Sequence, residues 1–374
     1  MKSRSNNSDS PTTHLDPATL RATSGGTARY ARRFESLFVP GFHRQTTFGL
    51  SVSSLGIGTY LGECDDREDG AYTRSVLHAI DSGVNLIDTA INYRCQRSEL
   101  AVGAAIQEAI SRGEVARESL MVCTKGGYVP LDREAPKTRE AYQGYVQREF
   151  IDRGIFTADD LVAGGHCLAP RFLLYCIAKS RQNLGLRTID VYYLHNPEQQ
   201  LSVIGRTQVQ ARLRTAFTSL EEAAGRGDIG VYGCATWNGL RVPPEARGHL
   251  SLEELVGLAR DVAGDRHHFR AVQLPINLAM PEAVRAETQT LRDHLVTPLE
   301  AARELGLTVV GSASLMQAKL ASGLPEPMRE LFPHCETDAQ RAIEFTRTMA
   351  GVTTALVGTR EPRHFDENLG CARA

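Results

Sequence analysis

Eight short apolar runs, separated by helix-like stretches, recur along this chain. Each run has four to eight residues and is rich in Val, Ile, Leu and Tyr, which is typical of strands buried on both faces. The runs occupy residues 55–59, 84–88, 120–125, 189–195, 229–236, 271–274, 307–311 and 354–358. The helix-like stretches occupy residues 72–82, 99–112, 171–184, 213–226, 252–263, 298–304 and 339–349. Eight strands that alternate with helices favour a (β/α)8 barrel, or TIM barrel, over an open doubly wound sheet.

The ends of the chain depart from this repeat. Residues 1–37 are rich in Ser, Thr, Asn and Gly and lack a strong apolar period, so we expect a disordered tail there. Residues 38–374 are predicted to form a single barrel domain. At its start, alternating runs broken by Gly41 and Gly49 predict a β-hairpin over residues 38–55.

A long insertion is predicted after the third strand, over residues 126–169. It exceeds the roughly 2 to 6 residues that usually join a strand to the next helix. Long loops on the carboxyl-terminal rim of a barrel commonly cover the substrate. The tyrosines and charged residues of this insertion indicate a polar substrate such as a sugar, and a solvated surface loop is the equally simple alternative.

Composition argues against several classes of function. The 374 residues carry a net charge of −2, and 42% of them are hydrophobic, which is enough for a large core. Since no block of Lys or Arg is long enough to track a phosphate backbone, we expect no nucleic-acid partner. No apolar run approaches the roughly 18 residues of a membrane helix, and no signal peptide is evident, so we expect no membrane association and a cytoplasmic protein. The eight cysteines form no CxxC pair, and His267 and His268 have no carboxylate at metal-ligand spacing, which predicts reduced thiols and no metal site.

Ionisable residues close three neighbouring strand-like runs. Asp88, Lys125 and His195 end the second, third and fourth runs, and Tyr93 follows Asp88 by five residues. The carboxyl ends of barrel strands meet on one rim, so we expect these side chains to converge. A phenol beside an ammonium and an imidazole can form a tuned proton donor, and we expect Lys125 to lower the pKa of Tyr93 while Asp88 holds Lys125 in place. The alternative is that each residue is a solvated group at a strand end.

The order of these residues resembles the aldo-keto reductase family. The segment 88–93 reads Asp-Thr-Ala-Ile-Asn-Tyr, a Thr-Lys pair follows at 124–125 and a Leu-His pair at 194–195, and the resemblance runs from about residue 44 to residue 369. It implies an NAD(P)H-dependent oxidoreductase that interconverts an alcohol and the carbonyl of an aldehyde, a ketone or a sugar. The resemblance also implies that Tyr93 is the general acid or base, that nicotinamide delivers hydride, and that His195 orients the carbonyl oxygen.

The same resemblance implies where cofactor and substrate bind. Residues 357–368 resemble the segment that clamps the adenosine phosphate, with a glycine turn that leads into a short helix. The predicted cofactor-binding residues are Thr59, Thr236, Gln273, Gly358, Thr359, Arg360, His364, Glu367 and Asn368. Tyr60 and Asn196 are predicted to contact the substrate.

Arg360 determines which cofactor we expect. A guanidinium makes strong bidentate contacts with phosphate, so Arg360 favours NADP(H) over NAD(H). Many relatives carry Lys and Arg where this chain has Gly358 and His364, which keeps NAD(H) as the alternative.

Two other functions stay open at this point. Lys125 would be the Schiff-base nucleophile of a barrel aldolase if it were desolvated with a depressed pKa. Alternatively, the chain binds nicotinamide as a sensor or a partner subunit with little turnover. The residues predict neither the physiological substrate nor the oligomeric state.

Overall fold

The computed structural model describes residues 20–374. Its strands are β1 (His43–Gln45), β2 (Ser51–Ser53), β3 (Leu55–Gly58), β4 (Leu86–Asp88), β5 (Met121–Gly126), β6 (Ile189–His195), β7 (Ile229–Ala235), β8 (Phe269–Pro275), β9 (Gln289–Leu291), β10 (His294–Val296), β11 (Thr308–Ser312) and β12 (Val352–Gly358). Its α-helices are α1 (Ser24–Arg33), α2 (Asp66–Asp81), α3 (Arg97–Ser111), α4 (Arg139–Val146), α5 (Pro170–Leu184), α6 (Arg206–Gly225), α7 (Leu252–Ala263), α8 (Glu282–Arg285), α9 (Pro298–Glu304), α10 (Pro327–Leu331), α11 (Asp338–Thr348) and α12 (Pro362–Leu369). None of the helices in residues 20–374 is both long enough and apolar enough to cross a membrane.

Eight strands close into a parallel barrel in the order β3, β4, β5, β6, β7, β8, β11 and β12. Each of them corresponds to one of the eight apolar runs, so the predicted (β/α)8 barrel is confirmed. The first and last barrel strands pair directly, with Gly58 opposite Gly358. The helices α2, α3, α5, α6, α7, α9 and α11 coincide with the seven predicted helical stretches to within a few residues at most of their ends.

The barrel strands separate two apolar cores by the alternation of their side chains. On β5, Met121 and Cys123 pack in the barrel interior, whereas Val122 packs outward against the helices. On β6, Val191 and Tyr193 occupy the interior in the same way. Because successive side chains of a strand point to opposite faces, the next inward positions of β5 and β6 are Lys125 and His195. The alternation that fills the core therefore also points these polar groups inward at the mouth of the barrel.

A β-hairpin covers the amino-terminal end of the barrel, as predicted. Strands β1 and β2 pair in an antiparallel register, and Val52 joins the interior core. The buried side chain of Asn85 accepts a hydrogen bond from the Ser53 backbone N–H (2.9 Å) and donates to the carbonyl oxygens of Ser51 (2.9 Å) and Ser119 (3.0 Å). The hairpin thus closes one end of the barrel and leaves the opposite end for chemistry.

The prediction of a disordered tail over residues 1–37 is wrong for its second half, and residues 1–19 lie outside the described part. Helix α1 begins after Thr23, whose side chain accepts a hydrogen bond from the Gly26 N–H (2.9 Å). The buried Tyr30 hydroxyl donates to the carbonyl oxygen of Ile80 and lies 3.2 Å from that of Val84. These partners are about 50 residues away in the chain, so local composition carried no sign of them.

The long insertion after the third barrel strand is present and is itself partly folded. Helix α4 and the π-helical turn that follows it lead to Phe150, which stacks on Phe156 with ring centroids 5.3 Å apart. Both rings contact Phe172 of α5 at 5.9 and 5.4 Å. The middle of the insertion is therefore anchored to the outer core of the barrel.

A buried ion pair ties the described amino-terminal segment to the barrel. Asp190, near the start of β6, accepts hydrogen bonds from Arg117 (2.6 Å), from the Val122 N–H (2.8 Å) and from the Ala22 N–H (2.7 Å). The side chains of Arg117 and Asp190 are 8% and 3% exposed. Both charges are therefore compensated mainly by protein groups and little by water.

Replacing Asp190 with Ala is expected to lower the free energy of unfolding by about 3–5 kcal/mol, because the Arg117 charge stays buried without its partner. The matched control is Asp261→Ala, which breaks the Arg214–Asp261 pair whose side chains are 51% and 58% exposed. Surface pairs contribute about 0–1 kcal/mol. Urea unfolding followed by circular dichroism measures both losses, and equal losses would contradict the role assigned to Asp190.

Candidate active site

A buried ion pair lies at the carboxyl-terminal mouth of the barrel. The Lys125 ammonium nitrogen Nζ lies 2.5 Å from Oδ1 of Asp88 and donates to the Thr89 carbonyl oxygen at 2.9 Å. The second carboxylate oxygen of Asp88 accepts from the Gln273 side-chain amide at 2.8 Å. Three strands, β4, β5 and β8, therefore converge on one carboxylate, and the predicted meeting of Asp88 with Lys125 is what the structure shows.

Tyr93 lies directly against this pair. It follows β4, and the Lys125 Nζ lies 4.8 Å from the centre of its ring. Tyr60 and His195 contact the Tyr93 ring edge-to-face, with centroids 5.0 and 5.7 Å away. The structure thus brings the four predicted catalytic side chains together, with the predicted substrate residue Tyr60 beside them.

Burial controls the proton affinity of this cluster. The pKa of Tyr93 is raised, because its burial outweighs the opposing attraction of Lys125. The sequence-based expectation of a lowered pKa was therefore right about the effect of Lys125 and wrong about the net shift. Burial acts to lower the pKa of Lys125, but the attraction of Asp88 and Tyr93 is stronger, and the pKa of the ammonium is raised. At neutral pH the site holds a protonated phenol beside a charged lysine.

His195 is a neutral imidazole. Burial lowers its pKa well below the usual value, and Lys125 and His166 lower it further. Its Nδ1 atom lies 3.2 Å from the side-chain Oδ1 of Asn92, and the ring of Tyr128 packs edge-to-face against it at 5.1 Å. A neutral ring can donate a hydrogen bond without bringing a second positive charge next to Lys125.

The backbone of His195 is held by the insertion. The His166 Nε2 atom lies 2.8 Å from the His195 carbonyl oxygen, and the Gln200 amide nitrogen lies 2.7 Å from His166 Nδ1. With that amide nitrogen as the donor, Nδ1 accepts and the imidazole proton stays on Nε2, which donates to His195. A Cβ atom at Gly127 would lie 2.9 Å from the same carbonyl oxygen, so glycine permits this approach.

Sequence reasoning missed part of this shell. Asn92 directly precedes Tyr93, and Gln200 follows His195 by five residues, so both lie close in sequence to predicted residues. Tyr128 and His166 lie in the insertion, where only the overall polar character indicated a contact with substrate. Asn196, predicted to contact substrate, donates to the Tyr128 hydroxyl at 3.1 Å and lies beside the cluster.

The positions predicted to bind nicotinamide include a buried polar atom that lacks a partner within residues 20–374. The Thr236 backbone N–H donates to the Gln273 carbonyl oxygen at 2.8 Å, but the buried Thr236 hydroxyl has no hydrogen-bond partner within residues 20–374. Thr59 donates weakly to the Asp88 carbonyl oxygen at 3.3 Å. The Thr236 hydroxyl, one of several buried hydroxyls without a partner in the described residues, can therefore pair with a polar ligand group.

The segment predicted to clamp the adenosine phosphate starts at the junction of β12 and β3. Thr359 follows the Gly58–Gly358 pair, and its hydroxyl accepts from the Glu361 N–H at 3.2 Å. On α12, His364 and Glu367 are exposed, whereas Asn368 is buried.

Arg360 is paired with a carboxylate in this structure. Its guanidinium donates to Oε1 of Glu68 at 2.5 Å, and the Glu68 side chain is only 8% exposed. The sequence-based argument for NADP(H) treated Arg360 as an uncommitted positive charge. A carboxylate beside it competes with any phosphate, so this argument for NADP(H) is weaker than the sequence alone implied.

We expect His166→Gln to flatten the dependence of stability on pH below neutrality. The pKa of His166 is lowered to about 4, mainly by burial. Below about pH 6.5 the His166 imidazole therefore binds a proton in the unfolded chain but stays neutral in the folded chain. As the pH falls from about 6.5 to 4, the free energy of unfolding decreases by about 2–3 kcal/mol. Glutamine keeps an N–H donor for the His195 carbonyl but does not titrate.

Urea unfolding at several pH values measures this effect. His294→Gln, at an exposed position, provides the control for the substitution itself. Identical pH slopes for wild type and His166→Gln would refute the assignment of a neutral, buried His166.

Comparison with known proteins identifies relatives of this arrangement. Residues 54–249, just over half of the chain, match the model of the Aldo/keto reductase family. The chain is 28% identical over 190 residues to D-threo-aldose 1-dehydrogenase of a Pseudomonas species, covering 50% of each chain. It is 29% identical over 154 residues to NADH-specific methylglyoxal reductase of Escherichia coli, covering 40% of each. The matches thus span half or less of the length of these curated relatives.

Two solved structures share the fold. One is an aldo/keto reductase of Klebsiella pneumoniae in complex with NADP and acetate, with a TM-score of 0.57, 17% identity, and coverage of 88% of this chain and 89% of that chain. The other is an aldo-keto reductase of Bacillus halodurans in its holo form, with the same TM-score and identity and coverage of 88% and 90%. At these identities the likeness concerns the barrel fold.

Proposed function

Because the chain belongs to the aldo/keto reductase family, we propose that it is an NAD(P)H-dependent oxidoreductase that interconverts a carbonyl and an alcohol at the Tyr93 site. The observation that carries this proposal is the buried Asp88–Lys125 pair against the Tyr93 ring. A hydrogen-bonded ammonium beside a phenol is an arrangement for moving a proton.

Tyr93 is the proposed general acid in the direction of reduction. Its raised pKa keeps the hydroxyl protonated at neutral pH, which is the form that donates. As the proton leaves, negative charge develops on the phenolic oxygen, and the adjacent Lys125 ammonium stabilises it. Asp88 keeps that ammonium charged and oriented, with Gln273 holding the second carboxylate oxygen.

His195 is the proposed donor to the carbonyl oxygen of the substrate. In the structure Asn92 Oδ1, which can only accept, faces Nδ1 of His195 at 3.2 Å. Nε2 carries the imidazole proton when the Asn92 amide is turned over, so that its nitrogen donates to Nδ1. The neutral state of His195 suits this role, because a neutral donor polarises the carbonyl without competing with Lys125.

The residues that would hold the cofactor fit a nicotinamide dinucleotide. The unpartnered Thr236 hydroxyl and the Gln273 side chain suit a carboxamide. The turn at Gly58 and Gly358 and the start of α12 suit the phosphates of the adenosine half. When bound, this cofactor supplies or accepts the hydride. Thr59, Thr359, His364, Glu367 and Asn368 remain predicted contacts.

The proposed substrate is a small polar carbonyl compound such as a sugar. Polar groups at the mouth, including the Asn196–Tyr128 pair, suit hydroxyl-rich molecules. The exposed aromatic rings of Tyr60 and Trp237 lie on loops that follow β3 and β7. The relative named as an aldose dehydrogenase supports the same class of substrate.

The aldolase alternative is disfavoured by Lys125 itself. A Schiff-base lysine needs a depressed pKa, so that the free amine attacks the carbonyl. Here the pKa of Lys125 is raised, because Asp88 and Tyr93 outweigh its burial. The ammonium is therefore held in the wrong state for nucleophilic attack.

We predict that Tyr93→Phe lowers kcat for carbonyl reduction by at least about 100-fold, since general acid catalysis contributes at least that much. Cofactor affinity should stay within about twofold, because the ring and its packing are kept. The control is Tyr175→Phe, on the outer helix α5, which removes a hydroxyl outside the site. Reduced-cofactor absorbance with a panel of aldehydes, ketones and sugars measures kcat, and near wild-type turnover by Tyr93→Phe would contradict the assignment of Tyr93 as the general acid.

The same panel tests the sensor alternative. Cofactor binding by the wild-type protein without turnover of any compound would favour a sensor.

Cofactor preference should respond to the Arg360–Glu68 pair. If Arg360 meets the 2′-phosphate, Arg360→Ala weakens NADPH binding by about 1–2 kcal/mol, the size of one charge-assisted contact, and leaves NADH binding nearly unchanged. Glu68→Gln removes the competing charge and should strengthen NADPH binding relative to NADH. Fluorescence titration with both reduced cofactors measures each Kd, with the NADH series as the internal control. Equal losses for both cofactors in Arg360→Ala would show that Arg360 does not contact the 2′-phosphate.

A further inference from the structure

Two cysteine thiols meet beside the candidate active site. The sulfur atoms of Cys64 and Cys95 lie 3.4 Å apart, although 31 residues separate them in the chain. Cys95 is two residues beyond Tyr93 and is buried, whereas Cys64 lies on the loop that follows β3 and is partly exposed. The two cysteines have no CxxC spacing, because the barrel brings their positions together only in three dimensions.

We propose that Cys64 and Cys95 are a redox modification site that forms a reversible disulfide with a low-molecular-weight disulfide as the oxidant. The Cys64 thiolate attacks one sulfur of the oxidant, which forms a mixed disulfide and releases one small thiol. The Cys95 sulfur then attacks the Cys64 sulfur and releases the second small thiol. The protein loses two electrons and two protons, and both are recovered on the two released thiols.

The two cysteine segments are already clamped together by Arg94. Its buried guanidinium donates to the carbonyl oxygen of Glu63 at 2.8 Å and to that of Asp65 at 3.3 Å, the residues on either side of Cys64. Arg94, Cys95 and Gln96 have φ values of 48°, 54° and 71°, a left-handed conformation that non-glycine residues seldom adopt in succession. The contacts of Arg94 thus hold the strained turn so that the Cys95 thiol faces the Cys64 thiol. The two sulfur atoms can therefore bond without a large rearrangement of the backbone.

Accessibility sets the order of the two steps. Cys64 is the thiol that solvent reaches, so it meets the oxidant first. Burial, followed by the hydrogen bond and repulsion of Cys64, raises the pKa of Cys95 to about 12. Once Cys64 is in a mixed disulfide, its thiol no longer shares a hydrogen bond with the Cys95 sulfur, and that contribution to the raised pKa of Cys95 is removed.

The cross-link would hold the loop of residues 60–65 against the Tyr93 segment. Tyr60 already contacts the Tyr93 ring at 5.0 Å, and the loop carrying it leads directly to Cys64. The effect on catalysis rests on the proposed function of Tyr93, but formation of the disulfide does not. A measurement of the bond itself therefore tests this inference even if Tyr93 is not the acid.

Incubating the full-length protein with oxidised glutathione, quenching with acid and titrating thiols after denaturation tests the proposal. Two of the eight thiols should be lost, with a mass lower by two hydrogen atoms and a cross-linked peptide pair containing Cys64 and Cys95. Dithiothreitol should restore all eight thiols. A glutathione adduct on Cys64 without a cross-link, or eight thiols that persist, would overturn the proposal.

Single substitutions make the test specific. Cys64→Ser should abolish the cross-link, whereas Cys335→Ser, which leaves the pair intact, should still lose two thiols. Cys95→Ser provides a second variant, in which the oxidant should stop at a mixed disulfide on Cys64. Cross-linking that persists in Cys64→Ser would place the reactive pair elsewhere and would also overturn the assignment.

Discussion

The candidate active site depends on the ion pair between Lys125 and Asp88 inside the mouth of the barrel. An ammonium and a carboxylate lose most of their hydration there, and only close pairing and further hydrogen bonds offset that cost. The carbonyl of Thr89 accepts from Lys125 and the amide of Gln273 donates to Asp88, so one carboxylate links strands from two sides of the barrel. Tyr93 and His195 then lie in a field set by that pair: the phenol keeps its proton, and the imidazole stays neutral.

The sequence predicts the parts of this site that depend on local patterns and misses those that depend on residues distant in the chain. The sequence predicts the meeting of Asp88, Lys125 and His195 because strands are recognisable from local apolar patterns. Parallel barrel strands also place their last side chains on one rim. The direction of the pKa shift of Tyr93 could not be predicted, because its burial depends on neighbours from many parts of the chain. Likewise, the sequence did not indicate that Glu68 pairs with Arg360, because the two residues are 292 positions apart in the chain.

The two segments that were hardest to predict are both held by remote contacts. Helix α1 looked disordered because its sequence is polar, yet Ala22 hydrogen-bonds to Asp190 and Tyr30 is buried against the segment before β4. The insertion looked like a substrate loop, and its ends do reach the site through Tyr128 and His166. Its middle instead packs on α5. One segment therefore has a structural part and a part that shapes the site.

The direct pairing of β3 with β12 has a consequence for how the protein is made. The strand that carries Gly58 is synthesised long before its partner strand β12, so the barrel cannot close until β12 has been made. Until then, β3 and β11 expose unpaired edges, which favours aggregation of the unfinished chain. Contacts this distant in sequence also slow folding. The proposed cofactor clamp, built where these two strands meet, is therefore among the last parts of the barrel to form, and a chain that stops before β12 should lack it.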